Sequence, residues 1–334
     1  MAEALIINDT TYAGEVASYM ITRAVVGADT IQKGAIMVQD GIKKAFSIPR
    51  VEVSNFMQKR QATPTSQGSI VVDRTYLTPQ DSMLYVEFNP RDFEQHWYAV
   101  QLETKLIDET LPQTAEAYIT MQMMKRLNEF FEKGIWQSRI QYDPDGSAVD
   151  PTTKGAPASA SSYYFWDGLI KKALDDASTI QVSSPVALTG GATGNIITKF
   201  QAAYALVPQA LLYKYGVGGL KFLISYADQQ KYESTMQLLT TFKNQDTTQA
   251  GINRYNGYEV VPCAGIPENT FFVCIAKPDM DSNLWLGINS QEDMSLQLAR
   301  LQNNSELYFL KGLFKTDTAI GFADQLVIYT TQTA

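Results

Sequence analysis

The sequence predicts an α+β fold, and three observations lead to that prediction. A single long helical run lies in the first half of the chain. Short runs rich in β-branched and aromatic residues fill the last third. Helices and strands are therefore largely segregated along the chain, as is typical of α+β proteins. At 334 residues the chain is longer than a typical single domain, so we expect two lobes or one elaborate lobe.

The first segment, residues 1–46, is predicted to be an N-terminal arm. Its amphipathic stretch is short, and Gly27, Gly34 and Gly41 interrupt any long helix. Such a segment has little apolar surface to bury by itself. We therefore expect it to lie along another surface, either on the body of its own chain or on a neighbouring chain.

An extended pattern follows from residue 47. The runs IPRVEV and IVVDRTYL flank a polar stretch that contains Pro64 and Gly68, and MLYVEF comes next. Two β-rich runs around such a loop predict a long hairpin. Because an isolated two-stranded hairpin is marginally stable in water, this one should be held by contacts from outside itself.

The clearest predicted helix spans residues 111–138. Thr110 precedes it, Pro112 lies in its first turn and Gln113 completes a capping-box pattern. Apolar residues then recur at close to helical spacing. A helix of this length would extend for roughly 38 Å and could serve as a spine across one lobe.

The remainder predicts a mixed lobe and then a sheet. Residues 142–162 are rich in Pro, Gly, Ser and Ala and predict an exposed loop. Helical runs follow, including one interrupted at Pro208, together with the buried strand LKFLIS. From residue 258 onward, six short β-rich runs separated by turn residues predict mainly antiparallel sheet.

Few residues suit catalysis, so we expect neither an enzyme nor a cofactor. The single histidine, His96, is flanked by aromatic residues and is better explained by packing than by acid–base chemistry. Cys263 and Cys274 have no second pair and no nearby histidine, which disfavours zinc. The loop 190–195, GGATGN, lacks the Lys and Ser or Thr of a phosphate-binding loop.

Other polar and aromatic clusters also have simple structural explanations. Aspartates in two loops could in principle bind calcium but do not match its twelve-residue pattern, and solvated turns explain them better. The aromatic run 163–166 is expected to be partly core and partly interface. The loop aspartates are Asp143, Asp145, Asp150, Asp279 and Asp281.

Charge and targeting signals narrow the function classes. The net charge of −8 and pI near 4.8 argue against a protein that clamps nucleic acid by neutralising phosphates. No secretory signal or membrane-spanning run is evident, and two cysteines do not indicate a disulfide framework, so we expect synthesis in a reducing cytoplasm and no membrane contact. The low share of charged residues, 19%, favours a surface partly covered by other chains.

The charges are nevertheless unevenly distributed. Residues 41–60 carry five basic side chains and one acidic one, whereas residues 81–116 carry eight acidic and two basic ones. Both could be solvated surfaces. Alternatively, a basic arm on one subunit lies across an acidic strip on the next. The candidate inter-subunit residues are Lys43, Lys44, Arg50, Lys59, Arg60, Glu94, Asp108 and Glu109.

The order of these elements resembles the major capsid proteins of tailed bacteriophages with the Hong Kong 97 (HK97-like) fold. The ending ELYFLKGLFKTDTAIGFADQLVIYT is similar in style to the final strands of that family. The resemblance implies an N-terminal arm, an E-loop hairpin, a P-domain containing the spine helix, and an A-domain. The implied ranges are 1–46 for the arm, 47–97 for the E-loop and flanking segment, 98–179 for the P-domain with spine helix 111–138, 180–275 for the A-domain, and 276–334 for the P-domain return strands and final A-domain strand.

The resemblance also implies a function. The chain would self-assemble as hexamers and pentamers into an icosahedral virion shell, built in the host bacterial cytoplasm, around double-stranded DNA contacted without sequence specificity. A separate scaffolding protein, a portal and decoration proteins would be further partners. Some family members join subunits by a Lys-to-Asn isopeptide bond, for which Lys59 with Asn303 or Asn304 are the nearest candidates.

Three other functions remain open from the sequence. An encapsulin-like compartment shell would share the fold and hold a cargo enzyme. A phage tail-tube or decoration protein would not need the long helix. A carboxylate-based hydrolase would need two carboxylates converging in a cleft.

Overall fold

The computed structural model describes residues 10–13, 27–53, 57–60, 62–63, 65–66, 68–89, 115–139, 166–212, 219–238, 254–289, 295–300 and 307–332. Within these ranges the chain forms fourteen strands and five α-helices, and a further helical stretch begins at residue 209. The strands are β1 Thr10–Ala13, β2 Met37–Gln39, β3 Phe46–Val53, β4 Ile70–Leu77, β5 Gln80–Phe88, β6 Ile180–Gln181, β7 Leu220–Ile224, β8 Arg254–Tyr255, β9 Tyr258–Pro262, β10 Thr270–Ile275, β11 Leu284–Ile288, β12 Ser295–Arg300, β13 Tyr308–Ile320 and β14 Val327–Thr330. The helices are α1 Asp29–Gln32, α2 Ala115–Gln137, α3 Leu169–Asp175, α4 Ile196–Ala205 and α5 Tyr226–Leu238, with a 3₁₀ turn at Ala323–Gln325.

The first sheet is organised around the 13-residue strand β13. Its order is β1-β12-β13-β11-β2, and β5 also pairs with β13. Most pairs are antiparallel, but β2 pairs with β11 in parallel. The β-rich run MLYVEF therefore belongs to this sheet as β5, and its partner lies more than 200 residues away in sequence.

The second sheet has the order β6-β14-β10-β7-β9-β8 and is covered on both faces. One face packs beneath α4 and α5 through an aromatic cluster centred on Phe200. The other face turns Leu223 and Phe272 toward the first sheet and α2. The last strand, β14, lies between β6 and β10 in this sheet. It comes from residues 327–330, whereas both of its neighbours come from residues 180–275.

Helix α2 has 23 residues and confirms the predicted spine; residues 110–114 with the predicted cap lie outside the described residues. Its C-terminal half is enclosed by the core, where Phe131, Ile135 and Trp136 are buried. The enclosure depends on glycine, because a Cβ at Gly168 would lie 2.8 Å from the backbone of Trp136. The spine is therefore fixed by backbone-to-backbone packing as well as by its apolar face.

Three further predictions from the sequence fall within the described residues. The hairpin is confirmed as β3 paired with β4, and the helical run broken at Pro208 is confirmed by the end of α4 at Ala205. The first of the helical runs predicted after residue 162 begins at Leu169. It does not begin earlier because Gly168 donates its N–H to the Ser138 carbonyl of the preceding segment. The loop predicted for 142–162 lies outside the described residues.

Residues 28–42 of the predicted arm lie on the body of their own chain. Ala28, Ala35 and Ile36 are buried in the central core, and β2 extends the first sheet. Small side chains allow this segment to approach closely, which is why few apolar residues suffice to anchor it.

Candidate assembly surface

The β3–β4 hairpin has two faces with different surroundings. Directly opposed residues in an antiparallel pair share a face, so the pairing of Phe46 with Leu77 and of Ile48 with Thr75 defines an inner face. The alternate pairs, including Val51 with Val72, define an outer face. Among the described residues, the inner face packs on the body and the outer face does not.

The inner face is buried at its root. Phe46, Ile48 and Leu77 pack with Trp285 of β11, and the Phe46 and Trp285 rings lie 6.1 Å apart. Leu77 sits so close to β11 that a Cβ at Gly287 would lie 2.4 Å from its side chain. The root of the hairpin is therefore a well-packed part of the monomer.

One ion pair continues this attachment outward. Arg50 donates two hydrogen bonds to the Asp324 carboxylate, at 2.7 and 2.6 Å, and its guanidinium lies over the Phe322 ring. Fork-to-fork geometry of this kind fixes orientation as well as distance. Arg50 was a candidate inter-subunit residue, and the structure gives it a partner within the same chain.

The outer face is apolar and exposed. Val51, Ile70, Val72 and Tyr76 are 60%, 71%, 55% and 58% exposed. Beyond the root the inner face is exposed as well, since Val71 is 53% exposed. We call Val51, Ile70, Val72 and Tyr76 the outer stripe. Arg74 lies on the same face between Tyr76 and Val72. Exposed β-branched and aromatic residues grouped on one face are typical of an interaction surface.

The outer stripe is the feature that sequence reasoning missed. The runs VEV and IVV showed apolar residues at alternate positions on both strands, and that alternation was the available signal. The clustered charges of residues 41–60 gave a stronger signal and indicated the basic residues instead. The register of β3 against β4 was needed to place the apolar residues on one face.

The predicted charged residues are only partly located. Lys43, Lys44, Lys59 and Arg60 are exposed. Their proposed acidic counterparts, Glu94, Asp108 and Glu109, lie outside the described residues, as do Asn303 and Asn304. The basic-to-acidic contact between subunits and the Lys59 crosslink therefore stay predictions.

The residues considered for chemistry occupy structural positions. Cys263 and Cys274 are buried, and burial raises the pKa of the Cys263 thiol to about 12 and that of Cys274 as well. Asp279 and Asp281 are exposed in a turn, and Trp166 of the aromatic run is buried against α2. Among the described residues there is no group of metal-binding side chains. His96, Asp143, Asp145 and Asp150 lie outside the described residues.

The glycine-rich loop 190–195 is closed by its own hydrogen bonds. Asn195 and Thr189 bond to each other twice, at 2.8 and 3.1 Å, and Gly191 donates to Thr235 of α5. A Cβ at Gly190 would lie 2.8 Å from the Lys231 backbone. These glycines allow the loop to pack against α5, which explains them without a phosphate.

No helix in the described part of the chain is long and apolar enough to cross a membrane. No protein-family model and no curated protein matches the sequence.

Comparison with solved structures, in contrast, gives full-length matches at very low sequence identity. The chain is similar to the capsid of a native GTA particle, with a TM-score of 0.54 and 11% identity over 92% of this chain and 91% of that one. It is similar to a satellite phage P4 procapsid, with a TM-score of 0.54 and 8% identity over 96% and 100% of the two chains. The capsid of the myovirus XM1 gives a TM-score of 0.51 and 9% identity over 99% and 95%. The chain therefore has the HK97-like capsid fold that the order of its sequence elements implied.

Proposed function

We propose that this chain is the major capsid protein of a tailed bacteriophage, which assembles into hexamers and pentamers and then into an icosahedral shell around double-stranded DNA. The observation that carries the proposal is the outer stripe, an exposed apolar surface on a hairpin, within a fold shared with phage capsids along nearly the whole chain. The β3–β4 hairpin lies in the proposed E-loop and flanking segment, residues 47–97. We assign the second sheet to the proposed A-domain, which comprises residues 180–275 and the final strand β14.

The physical argument begins with the hairpin's own stability. Its root is buried, but among the described residues its distal half has no sheet partner beyond the other strand of the pair. Two strands with water on both faces gain little from hydrophobic burial. A second copy that covers the outer stripe would remove this apolar surface from water at about 25 cal/mol per Å².

A repeated heterologous contact explains how one such surface could build a shell. The outer stripe of one copy would cover a different surface of the next, so each copy would both give and receive a contact. Such contacts close into rings when the rotation between copies is a simple fraction of a turn. Hexamers and pentamers are two closures of the same contact.

The remaining features fit a structural protein. The fold neighbours support a structural role, and those side chains considered for chemistry that lie among the described residues are buried (Cys263 and Cys274) or exposed in a turn (Asp279 and Asp281). An acidic chain suits a container for DNA better than a DNA clamp, because a shell need not neutralise phosphates. Scaffolding, portal and decoration proteins are the further partners we propose, with assembly in the host bacterial cytoplasm and the virion as the final location.

Expression of the chain alone in bacteria, followed by sedimentation and negative-stain microscopy, tests the proposal. Rings of five and six subunits or closed shells are expected. A chain that stays monomeric at every concentration, both alone and together with a scaffolding protein, would contradict self-assembly. A folded enzyme that copurifies inside the shells would favour an encapsulin-like compartment, and stacked rings without closed shells would favour a tail tube.

A substitution in the outer stripe makes the test specific. Val72→Asp places a charge on the exposed face, whereas Val72→Ile keeps the face apolar and serves as the matched control. Because Val72 is 55% exposed, we expect Val72→Asp to change the free energy of unfolding by no more than about 0.5–1 kcal/mol. Assembly should be lost in Val72→Asp and retained in Val72→Ile.

A further inference from the structure

A buried polar cluster joins three parts of the chain that are far apart in sequence. Glu132 of α2 is 4% exposed and accepts hydrogen bonds from the Thr30 N–H at 3.0 Å, the Thr30 hydroxyl at 2.6 Å and the Gly265 N–H at 2.9 Å. The Trp136 indole donates to the same Thr30 hydroxyl at 2.8 Å. One carboxylate therefore connects α1, the spine helix and the loop between β9 and β10 of the second sheet.

A second, more exposed layer repeats the same connection. Asp29 accepts the Ala264 N–H at 3.1 Å and a hydrogen bond from the Tyr226 hydroxyl at 3.2 Å. Lys33 donates to Asp29, to the Tyr226 hydroxyl and to the Pro262 carbonyl. Burial disfavours the Lys33 ammonium, but the hydrogen bonds to Tyr226 and Asp29 outweigh it, so the pKa of Lys33 is raised. Helix α1 is thus tied to the second sheet from two sides.

The backbone approach at this junction is as close as glycine permits. A Cβ at Gly265 would lie 2.1 Å from the Glu132 carbonyl oxygen and 2.4 Å from the Trp136 ring. No other residue could take this position without separating the loop from the spine helix. The contact therefore allows one distance and one orientation.

A buried carboxylate is a costly way to hold two elements together. Its desolvation costs several kcal/mol, and an apolar contact of similar volume would often be as stable or more so. An apolar contact, however, tolerates sliding, whereas hydrogen bonds to fixed backbone groups do not. The cluster therefore contributes less to the free energy of folding than an apolar contact could. It instead fixes the position of the spine helix relative to the second sheet.

We propose that Asp29, Thr30, Lys33, Glu132 and Gly265 form a clasp that fixes the angle between the spine helix and the second sheet, and that this angle sets the curvature of the shell. The second part rests on the proposed function. In a shell of identical chains, a small change of angle within each subunit is repeated around every ring. A chain with a loosened clasp would therefore close into shells of more than one size.

The first test measures the angle in the unassembled subunit. Spin labels are placed at Lys125→Cys on α2 and Ala202→Cys on α4, which are both exposed. Cys263 and Cys274 are fully buried and should not be labelled. Glu132→Gln keeps the volume but places an NH₂ group against a donor N–H, while Glu129→Gln, exposed and one turn away on the same helix, is the matched control.

We expect a single narrow distance in the unsubstituted chain and in Glu129→Gln, and a broad or split distribution in Glu132→Gln. If Glu132→Gln does not unfold cooperatively, Thr30→Val provides the test, because it removes only the hydroxyl and leaves both backbone donors. An unchanged narrow distance in the folded clasp variant would overturn the clasp.

The second test measures particle diameter by electron microscopy for the same variants. Particles of more than one diameter in the clasp variant, together with one uniform diameter in the control, support the link between the clasp and the curvature of the shell. Uniform particles from a subunit whose distance distribution has broadened would overturn that link. The two proposals fail separately, since a chain that never assembles contradicts the capsid function while the spin-label distance still reports on the clasp.

Discussion

The second sheet and the β3–β4 hairpin differ in how much of their apolar surface is buried within the monomer. The second sheet is covered on both faces, by α4 and α5 on one side and by the spine helix and first sheet on the other. Within the described residues the hairpin packs on the body at its root and through Arg50, and its distal half exposes apolar side chains on both faces. The first region is completed within the monomer, and the second is not.

This difference separates residues that fold the chain from residues that assemble it. A substitution at a buried position of the second sheet should change the free energy of unfolding, because that side chain has lost its contact with water. A substitution in the outer stripe should change association, because its contacts form only with another copy. Substitutions at four places, from the largest expected effect on the stability of the monomer to the smallest, distinguish folding residues from assembly residues.

The largest effect is expected at Phe200, in the core between α4 and the second sheet. Its ring contacts four other aromatic rings, with centroid distances of 4.8–5.6 Å to those of Phe222, Tyr232, Tyr255 and Phe271. Phe200→Ala should cost about 3–5 kcal/mol through lost burial and the cavity left behind. Chemical denaturation measures this loss, and Phe200→Leu should lose clearly less. Equal losses for Ala and Leu would show that the cavity does not determine the effect.

A smaller effect is expected at the hairpin root. Leu77 is fully buried against Trp285 and Ile42, so Leu77→Ala should cost about 2–4 kcal/mol in the free energy of unfolding. Its neighbour Tyr76 points to the outer face, and Tyr76→Ala at 58% exposure is the control. A Tyr76→Ala variant as unstable as Leu77→Ala would contradict the assignment of the two faces.

The Arg50–Asp324 ion pair should matter less. The two side chains are 21% and 45% exposed, and solvent screening limits such a pair to about 0.5–1 kcal/mol. A double-mutant cycle with Arg50→Gln and Asp324→Asn measures the coupling in the monomer. We expect a small coupling in unfolding together with a larger loss of assembly, since the pair orients the exposed half of the hairpin. No coupling in either measurement would exclude that orienting role.

The smallest effect on the monomer is expected in the outer stripe. Ile70→Thr keeps the β-branched shape and should change the free energy of unfolding by less than about 0.5 kcal/mol. The same change should raise the concentration needed for assembly by tenfold or more, if the interface loses about 1.4 kcal/mol of apolar burial. Light scattering against concentration measures this, with Ile70→Val as the control. A normal assembly threshold for Ile70→Thr would show that Ile70 is not covered.

Local signals were enough to predict several elements. The spine helix followed from its apolar spacing and the hairpin from two β-rich runs around a polar loop, because both depend on residues close together in sequence. The pairing of β5 with β13 was not predictable in this way, since strands so far apart in sequence leave no local pattern that names the partner. The sequence left open whether residues 28–42 lie on their own chain or on a neighbour, because small side chains such as Ala28 and Ala35 give a weak apolar signal.

The candidate site was less predictable than the fold. Arg50 was identified as a charged interface residue, but its partner Asp324 lies 274 positions away, and no local pattern connects them. Glu132 looked like any acidic residue on an amphipathic helix, and only the folded structure shows that two distant N–H groups converge on it. The residues of the outer stripe are apolar in the sequence, but only the register of β3 against β4 shows that they share one face.

Hydrogen exchange along β3 and β4, compared between free subunits and assembled particles, tests the central claim most directly. The backbone amides at the root, near Phe46 and Leu77, should be protected in both states because the monomer buries this part. Amides of the distal half, near Val51 and Ile70, should exchange rapidly in the free subunit and become protected in the particle. Equal exchange of the distal half in the two states would contradict the account, because the hairpin would then be no part of what holds the copies together.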